Sequence, residues 1–332
     1  MKVLADRPRG PKFLLLGSSQ ILLLRQVRES LAGRAGVLDL WPLAVGEKVE
    51  TEAAPHSLLD RLWDEGPAVL RRKERIDPPA DVARRLRERA EETLAWGGYP
   101  PLRTLPDDVD RREWLRDYRR TFLERDLADL GRVADLDQFA RAQAWVAART
   151  GLPLSYSDLA RDLGVVANTA KRFVRFLEVS YQVLLLEPFL PRIERRLAKN
   201  PKVIWTDVGL ARVLAGRSRL DDGPLFESYV AAELAKWRSF RDDAPGLFFF
   251  RVHGGLEVDL VLADGEDLLA VECKASTRFH PMDAKSIAPF LRDAGRGRRR
   301  KLGLVVYRGR EVAEIERNVW AVPDWLLFGP SP

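Results

Sequence analysis

The stretch EVDLVLADGEDLLAVECK, residues 257–274, decides how this chain is read. Two apolar runs flank the small polar turn Ala263–Asp267, the pattern of two buried strands joined as a hairpin. Glu272 follows Asp259 by thirteen positions, so antiparallel pairing brings the two carboxylates together. Side chains alternate along a strand, which places Glu272 and Lys274 on one face and Cys273 on the other. Two converging carboxylates beside an ammonium are the parts needed for Mg²⁺-dependent phosphodiester hydrolysis. The acids hold a hard cation, and the lysine positions the attacking water. Asp259 and Glu272 are therefore the expected metal ligands and Lys274 the expected catalytic partner. Without these chemical roles, the same three side chains would form an ion-pair cluster that fixes the fold.

Outward from this hairpin, residues 216–332 read as a small α/β domain. A helix over about Leu225–Trp237 precedes apolar runs at 247–252, 257–263, 267–275, 302–307 and 318–323. Glu227 lies on the apolar face of that helix with Val230, Ala231 and Leu234. An acid there is costly unless paired, by a metal, by Lys274 or by a backbone amide. It joins the expected catalytic group. The basic run Arg292–Lys301 reads as a flexible loop, and Arg298, Arg299 and Arg300 are candidate phosphate contacts.

Residues 155–187 carry a second pattern. Ser155 or Ser157 caps a helix holding Leu159, Ala160 and Leu163, and Gly164 ends it. A second helix starts at Asn168 or Thr169, with Phe173, Val174 and Leu177 turned inward, and the run QVLLLEPF follows as a strand. Helix, turn, helix and ribbon is the order of a winged helix-turn-helix. Lys171, Arg172 and Arg175 fall on its outer face as candidate phosphate contacts. Upstream, Trp114, Tyr118 and Phe122 recur every four residues and start a helical core stripe continued by Leu123, Leu127 and Leu130. Residues 49–105 are helical, with Asp77-Pro78-Pro79 opening one helix and Gly97-Gly98-Tyr99-Pro100-Pro101 reading as a domain boundary. At the start, residues 13–24 suggest strand, loop and helix, and VLDLWPL (Val37–Leu43) a second buried strand.

Composition sets the outer limits. The chain has 332 residues, 46% hydrophobic and 31% charged, which excludes a disordered or collagen-like protein. No apolar run is long enough to span a bilayer and the first ten residues have no apolar signal core, so a cytoplasmic protein with no membrane partner is expected. The single cysteine, Cys273, and the scattered His56, His253 and His280 exclude disulfides and a cysteine–histidine metal cluster. Lys and Arg number 55 against 49 Asp and Glu, a net charge of +6 that suits a polyanionic partner. Nucleic acid, DNA first, is the expected partner.

A run of motifs in order resembles the AAA+ family ATPases that carry a C-terminal domain of unknown function. The motifs are GSSQ (Gly17–Gln20), SLAGR (Ser30–Arg34), LDLWPL (Leu38–Leu43), GGYP (Gly97–Pro100) and the helix Trp114–Leu130. Further along come Lys199–Gly216, the FESYV helix (Phe226–Val230), EVDLV and VECKAS. The resemblance implies a multi-domain α/β protein: a remnant of the ATPase core at 1–48, a helical lid at 49–105, a helical winged-helix region at 106–215, and a C-terminal domain at 216–332 similar to restriction-endonuclease-like folds of the PD-(D/E)xK type. It implies a polar sensor residue at Ser18 or Ser19 and, by resemblance only, an arginine finger at Arg34. Members of the family bind ATP through a GxxxxGK[ST] loop. This chain has no Gly-Lys dipeptide and starts about where the fourth core strand would begin. ATP is therefore not expected to bind this chain, and ATPase activity is not expected from it alone. Relatives with arginine fingers work as homo-oligomers, and a chain without its nucleotide pocket loses the reason to form that ring. Three functions follow: a DNA-binding nuclease-like protein, an ATPase whose N-terminus is missing from this chain, and a non-catalytic adaptor for DNA or protein.

Overall fold

The computed structural model describes residues 36, 38–49, 56–72, 76–122, 136–190, 200–216, 222–252 and 255–330. GSSQ, SLAGR with Arg34, the expected first strand and helix, and Leu123, Leu127 and Leu130 of the helical stripe lie outside the described residues.

Ten α-helices and nine strands are described: α1 Leu58–Glu65, α2 Ala80–Trp96, α3 Asp108–Phe122, α4 Leu136–Ala147, β1 Leu152–Pro153, α5 Tyr156–Leu163, α6 Ala167–Val179, β2 Val183–Pro188, β3 Lys202–Trp205, α7 Val208–Ala215, α8 Asp222–Ser239, β4 Gly246–Arg251, β5 Glu257–Ala263, β6 Asp267–Lys274, α9 Ile287–Ala294, β7 Arg300–Tyr307, β8 Ala313–Glu316, β9 Val319–Pro323 and α10 Asp324–Leu327. The protein is mixed α/β, and its strands form one sheet in the order β1-β3-β2-β4-β5-β6-β7-β9-β8.

Local signals set most boundaries. Ser57 and Asp60 form a reciprocal cap at the start of α1. Ser155 accepts from the Asp158 amide to start α5, and Gly164, at φ 67°, ends it in the left-handed region. Residues 167–179 then form α6 with Ala170, Phe173, Val174 and Leu177 buried. The start at Ala167, after Val166, is one or two residues earlier than the expected polar cap.

The C-terminal hairpin forms as its pattern dictates. Asp264 Oδ1 accepts from the amides of Glu266 and Asp267 at 2.7 and 2.6 Å, which tightens the turn. β5 and β6 pair antiparallel with Leu260 opposite Val271, and β6 and β7 pair parallel over their full length. With helices on both faces, β6 is buried almost throughout, as the central strand of such a sheet must be. One face packs on α8, α2 and α10, the other on α9. α8 is buried on every side from Leu225 to Trp237, so its pattern is that of a core helix.

Two expectations fail. Residues 38–43 form no strand, and Leu38 and Leu40 are 92% and 100% exposed rather than buried. Alternating apolar residues alone do not make a strand without a partner edge. The basic run 292–301 is not one flexible loop: it begins in α9, and Arg300 and Lys301 open β7, where Arg300 pairs with Asp267 and Lys301 with Leu268.

The segment Gly97–Pro101 lies in a packed junction. Gly97 caps α2 at φ 85°, Gly98 donates its amide to Asp207 at 2.7 Å, and its carbonyl accepts from Leu43 N. Lys48 Nζ donates to the Gly97 carbonyl at 2.6 Å and to Thr93 Oγ1 at 2.8 Å. Glu233 accepts from Lys236 at 2.7 Å and from the Val45 amide at 3.0 Å. Burial, with the Lys236 charge nearby, pushes the Lys48 ammonium down to about 8.

Candidate functional site

The open end of the β5–β6 hairpin gathers the charged groups. Past the Leu260–Val271 pair the strands stop exchanging backbone bonds, and the Asp259 carboxylate takes over. Its Oδ2 accepts from the Cys273 amide at 2.8 Å, which pins the side chain between the strands. Glu272 Oε1 accepts from Lys274 Nζ at 2.9 Å, so these two share a face as the alternation requires. Lys274 also lies 4.0 Å from Asp283, in the turn before α9. Glu272 Oε2 is buried with no hydrogen-bond partner.

Glu227 reaches the cluster from α8, but its partner is not Lys274. Lys202 of β3 donates to Glu227 Oε1 at 2.6 Å and lies 3.7 Å from Glu257 Oε1. The Lys202 side chain is only 2% exposed, and its ammonium stands 5.4 Å from the Phe249 ring centroid. Asp259 feels both lysines, so it is the shared member of a Lys202–Glu227 pair and a Lys274–Glu272 pair. Sequence reasoning found four of these groups and missed Lys202 and Glu257. The available signal was a lysine opening the apolar strand KVIW, where a long cation is buried only if paired.

Four carboxylates, Glu227, Glu257, Asp259 and Glu272, thus face two ammonium groups. Burial is the largest influence on each buried acid. It pushes Glu227 up to about 8, with Asp259 and Glu257 adding to the rise and Lys202 opposing it. It pushes Glu272 up to about 7, again helped by Asp259. Asp259 is raised by burial against the pull of Lys202 and the Cys273 amide. Burial opposes the charge on Lys202 and Lys274, yet their carboxylate partners hold both above the usual lysine value. The Cys273 thiol, buried among these acids, is driven well above its ordinary value and has no thiolate chemistry at neutral pH.

These shifts fix a pH dependence. Glu227, Glu272 and the buried Asp324 are held at about 8, 7 and 7, each chiefly by burial. In the unfolded chain such groups ionise at about 4. Between those limits the folded chain binds more protons than the unfolded one, so stability falls as pH rises from about 5 to 8. Asp267, held at about 2 after its arginine partners outweigh burial, is ionised throughout that window and leaves the trend unchanged. The urea midpoint is expected to be lower at pH 8 than at pH 5.5; a flat or rising midpoint would contradict the assignment.

Among the described residues, no group of three or more His, Cys, Asp or Glu side chains is gathered to hold a metal ion. The donor set that fits one is the pair Asp259 and Glu272, all oxygen, with an orphaned Glu272 Oε2. That set suits a hard divalent cation that keeps several waters.

The candidate phosphate contacts divide. Lys171, Arg172 and Arg175 are all exposed on α6. Arg175 pairs with Glu178 at 2.6 Å, and Lys171 lies 5.9 Å from the Tyr156 ring centroid. Arg299 and Arg300 both bind Asp267, at 2.9 and 2.5 Å, and Arg298 donates to the Asp264 and Asp267 carbonyls. These three clamp the hairpin turn.

Comparison with known proteins finds three family models along the chain. Residues 1–49 match the family described as an AAA domain, residues 87–221 a domain of unknown function (DUF8612), and residues 222–327 a domain of unknown function (DUF4143). Among the described residues no helix is long and apolar enough to cross a membrane. No solved structure matches the chain. Uncharacterized proteins of Mycobacterium bovis and Mycobacterium tuberculosis are each 31% identical over 337 aligned residues, covering 98% of this chain. The chain spans 66% of the length of these two relatives, and its N-terminal 49 residues are similar to an AAA domain.

Proposed function

We propose that this chain is a nucleic-acid-binding protein, DNA being the expected substrate, with a Mg²⁺-dependent nuclease-like site of the PD-(D/E)xK type at Asp259, Glu272 and Lys274. The observation that carries the reading is the convergence of Asp259 and Glu272 at the open end of β5–β6, with one buried Glu272 oxygen unpartnered and Lys274 on the Glu272 carboxylate. The element order supports it: α8, the antiparallel strands β4 to β6, α9, then β7 parallel to β6.

Asp259 and Glu272 would hold the cation. When bound, that cation supplies Lewis acidity to the phosphoryl oxygen and lowers the pKa of a coordinated water. The Cys273 amide holds Asp259 in a single orientation. Lys274 is placed by Glu272 to orient the attacking water and offset charge on the phosphate. Glu227 is a positioning residue, since its carboxylate is engaged by Lys202 beside Asp259.

The helical region supports nucleic-acid binding. α4, β1, α5, α6, β2 and β3 follow in that order, β3 pairs with both β1 and β2, and α6 exposes Lys171, Arg172 and Arg175. This order and pairing support the winged-helix reading. Nucleotide hydrolysis belongs to the reading in which a P-loop precedes this chain in a longer protein.

The full chain titrated with Mn²⁺ by calorimetry, and incubated with plasmid and linear DNA plus Mg²⁺ or Mn²⁺, tests the proposal. Asp259→Asn is expected to abolish both the binding heat and the cleavage. Heat or cleavage identical in parent and variant overturns the site. DNA binding without metal binding leaves the adaptor reading in its place.

A further inference from the structure

A cleft of about 460 Å³ opens between α2, α3, α7 and the residue that follows β7. Four arginines line it: Arg112 and Arg116 from α3, Arg212 from α7, and Arg308. Two acids, Glu91 and Asp108, line it as well, but both are engaged. Glu91 pairs with Arg308 at 2.5 Å and Asp108 with Arg111 at 3.6 Å. Arg212 is steadied by donating its Nε to the Leu94 carbonyl at 3.3 Å. Among the described residues, Arg112 and Arg116 have no hydrogen-bond or ion-pair partner, and the Arg308 Nε is buried without one.

Arg112 and Arg116 are four residues apart in α3, so they project from one helical face with a rise of about 6 Å between them. Successive charges along that face suit a chain of phosphates better than a single anion. Guanidinium forks without internal partners are the groups that bind phosphate oxygens two at a time. The cleft is also tied to the proposed catalytic end of the sheet. Tyr307 pairs with Lys274 across β7 and β6, Arg308 is the next residue, and its amide donates to the Ser276 carbonyl.

We infer that this arginine cleft binds the backbone phosphates of the nucleic acid, with Arg112 and Arg116 as its main contacts. The inference rests on the nucleic-acid part of the function proposed above, and adds a contact surface separate from α6. Its chemistry is sequence-independent, so it positions a strand and does not read bases.

The test is fluorescence anisotropy of labelled duplex and single-stranded oligonucleotides with the full chain, in EDTA, over a range of salt. Both arginines are exposed or half-buried, so Arg112→Ala/Arg116→Ala should leave the fold intact, and its circular dichroism melt checks this. The double variant should bind about tenfold more weakly at low salt. Its log–log salt slope should be shallower by about 1.8 on duplex, or about 1.4 on a single strand, the value expected for two lost phosphate contacts. The two oligonucleotide arms say which form the cleft takes. Arg112→Lys/Arg116→Lys should keep most of the slope. An unchanged slope and affinity in the alanine variant overturns the inference, as does binding lost only in Lys171→Ala/Arg172→Ala/Arg175→Ala. ATP or tripolyphosphate binding in the cleft and displacing the oligonucleotide at micromolar levels would also overturn it, by making this a small-molecule pocket. A parent chain that binds no nucleic acid sinks the proposed function with it, whereas an unaltered variant of a binding parent sinks the cleft alone.

Discussion

Lys202→Met should lower the stability of the protein by about 3–5 kcal/mol at about pH 9, where Glu227, held at about 8, is ionised, among the largest losses any single side chain here would cause. The reason is the imbalance it leaves. Lys202 is the only cation bonded to Glu227 among the described residues, and it also faces Glu257 and Asp259. Methionine fills a similar volume against Phe249, so the loss of packing is small and the change isolates the charge. Buried acids without a cation must take up protons or draw in water, and both oppose folding. Urea unfolding of the parent and variant measures the difference. Adding Glu227→Gln should restore part of it, because the removed carboxylate no longer needs a partner. A loss below about 1 kcal/mol in the single variant would mean that the ammonium contributes little, as for a solvent-screened pair.

Gly209→Ala should cost about 3 kcal/mol, at the upper end of what overpacking does. A Cβ at Gly209 would stand 2.0 Å from the Trp96 carbonyl oxygen and 2.8 Å from the Gly97 nitrogen. These are backbone atoms at the end of α2, and they cannot swing aside as a side chain can. The helix α7 would have to move off α2, stretching the bond from the Gly98 amide to its capping residue Asp207. The denaturation midpoint measures the effect. Gly223→Ala, where a Cβ meets nothing within 4 Å, is the control. Equal midpoints for the two variants would refute the close approach.

Much of this was readable from the residues, and the exceptions have physical causes. β5, β6, β7 and β9 are buried on both faces or in a hairpin, so their apolar runs stand out from the polar turns between them. Ser155 and Gly164 mark α5 because caps and left-handed residues have few substitutes. β8, sequence AEIE, escaped notice: it is a half-exposed edge strand with a register shift between Glu314 and Glu316. The inward acid Glu227 was legible from helical spacing, but its partner was not. Lys202 lies 25 residues away on a strand of the preceding region, and no local pattern encodes that meeting. For the same reason the close packing of Gly97-Gly98, read as a domain boundary, was not legible. Flexibility and close packing both call for glycine, and here Asp207 occupies the space where a Gly97 side chain would stand. Arg112 and Arg116 were invisible as a site, because one helix supplies two charges and distant elements supply the rest of the cleft.

The parallel pairing of Glu187 and Pro188 with Phe248 and Phe249 has a practical consequence for anyone dissecting the molecule. A fragment beginning at residue 222 would strip β2 from the flank of β4 and leave the row Leu247, Phe248, Phe249 and Phe250 with open amides and carbonyls. Such a border recruits any extended chain within reach, including the same border on another copy. Separating the two regions at their apparent seam would therefore yield a self-adhesive piece, and a well-behaved one needs Val183–Pro188 carried along or replaced.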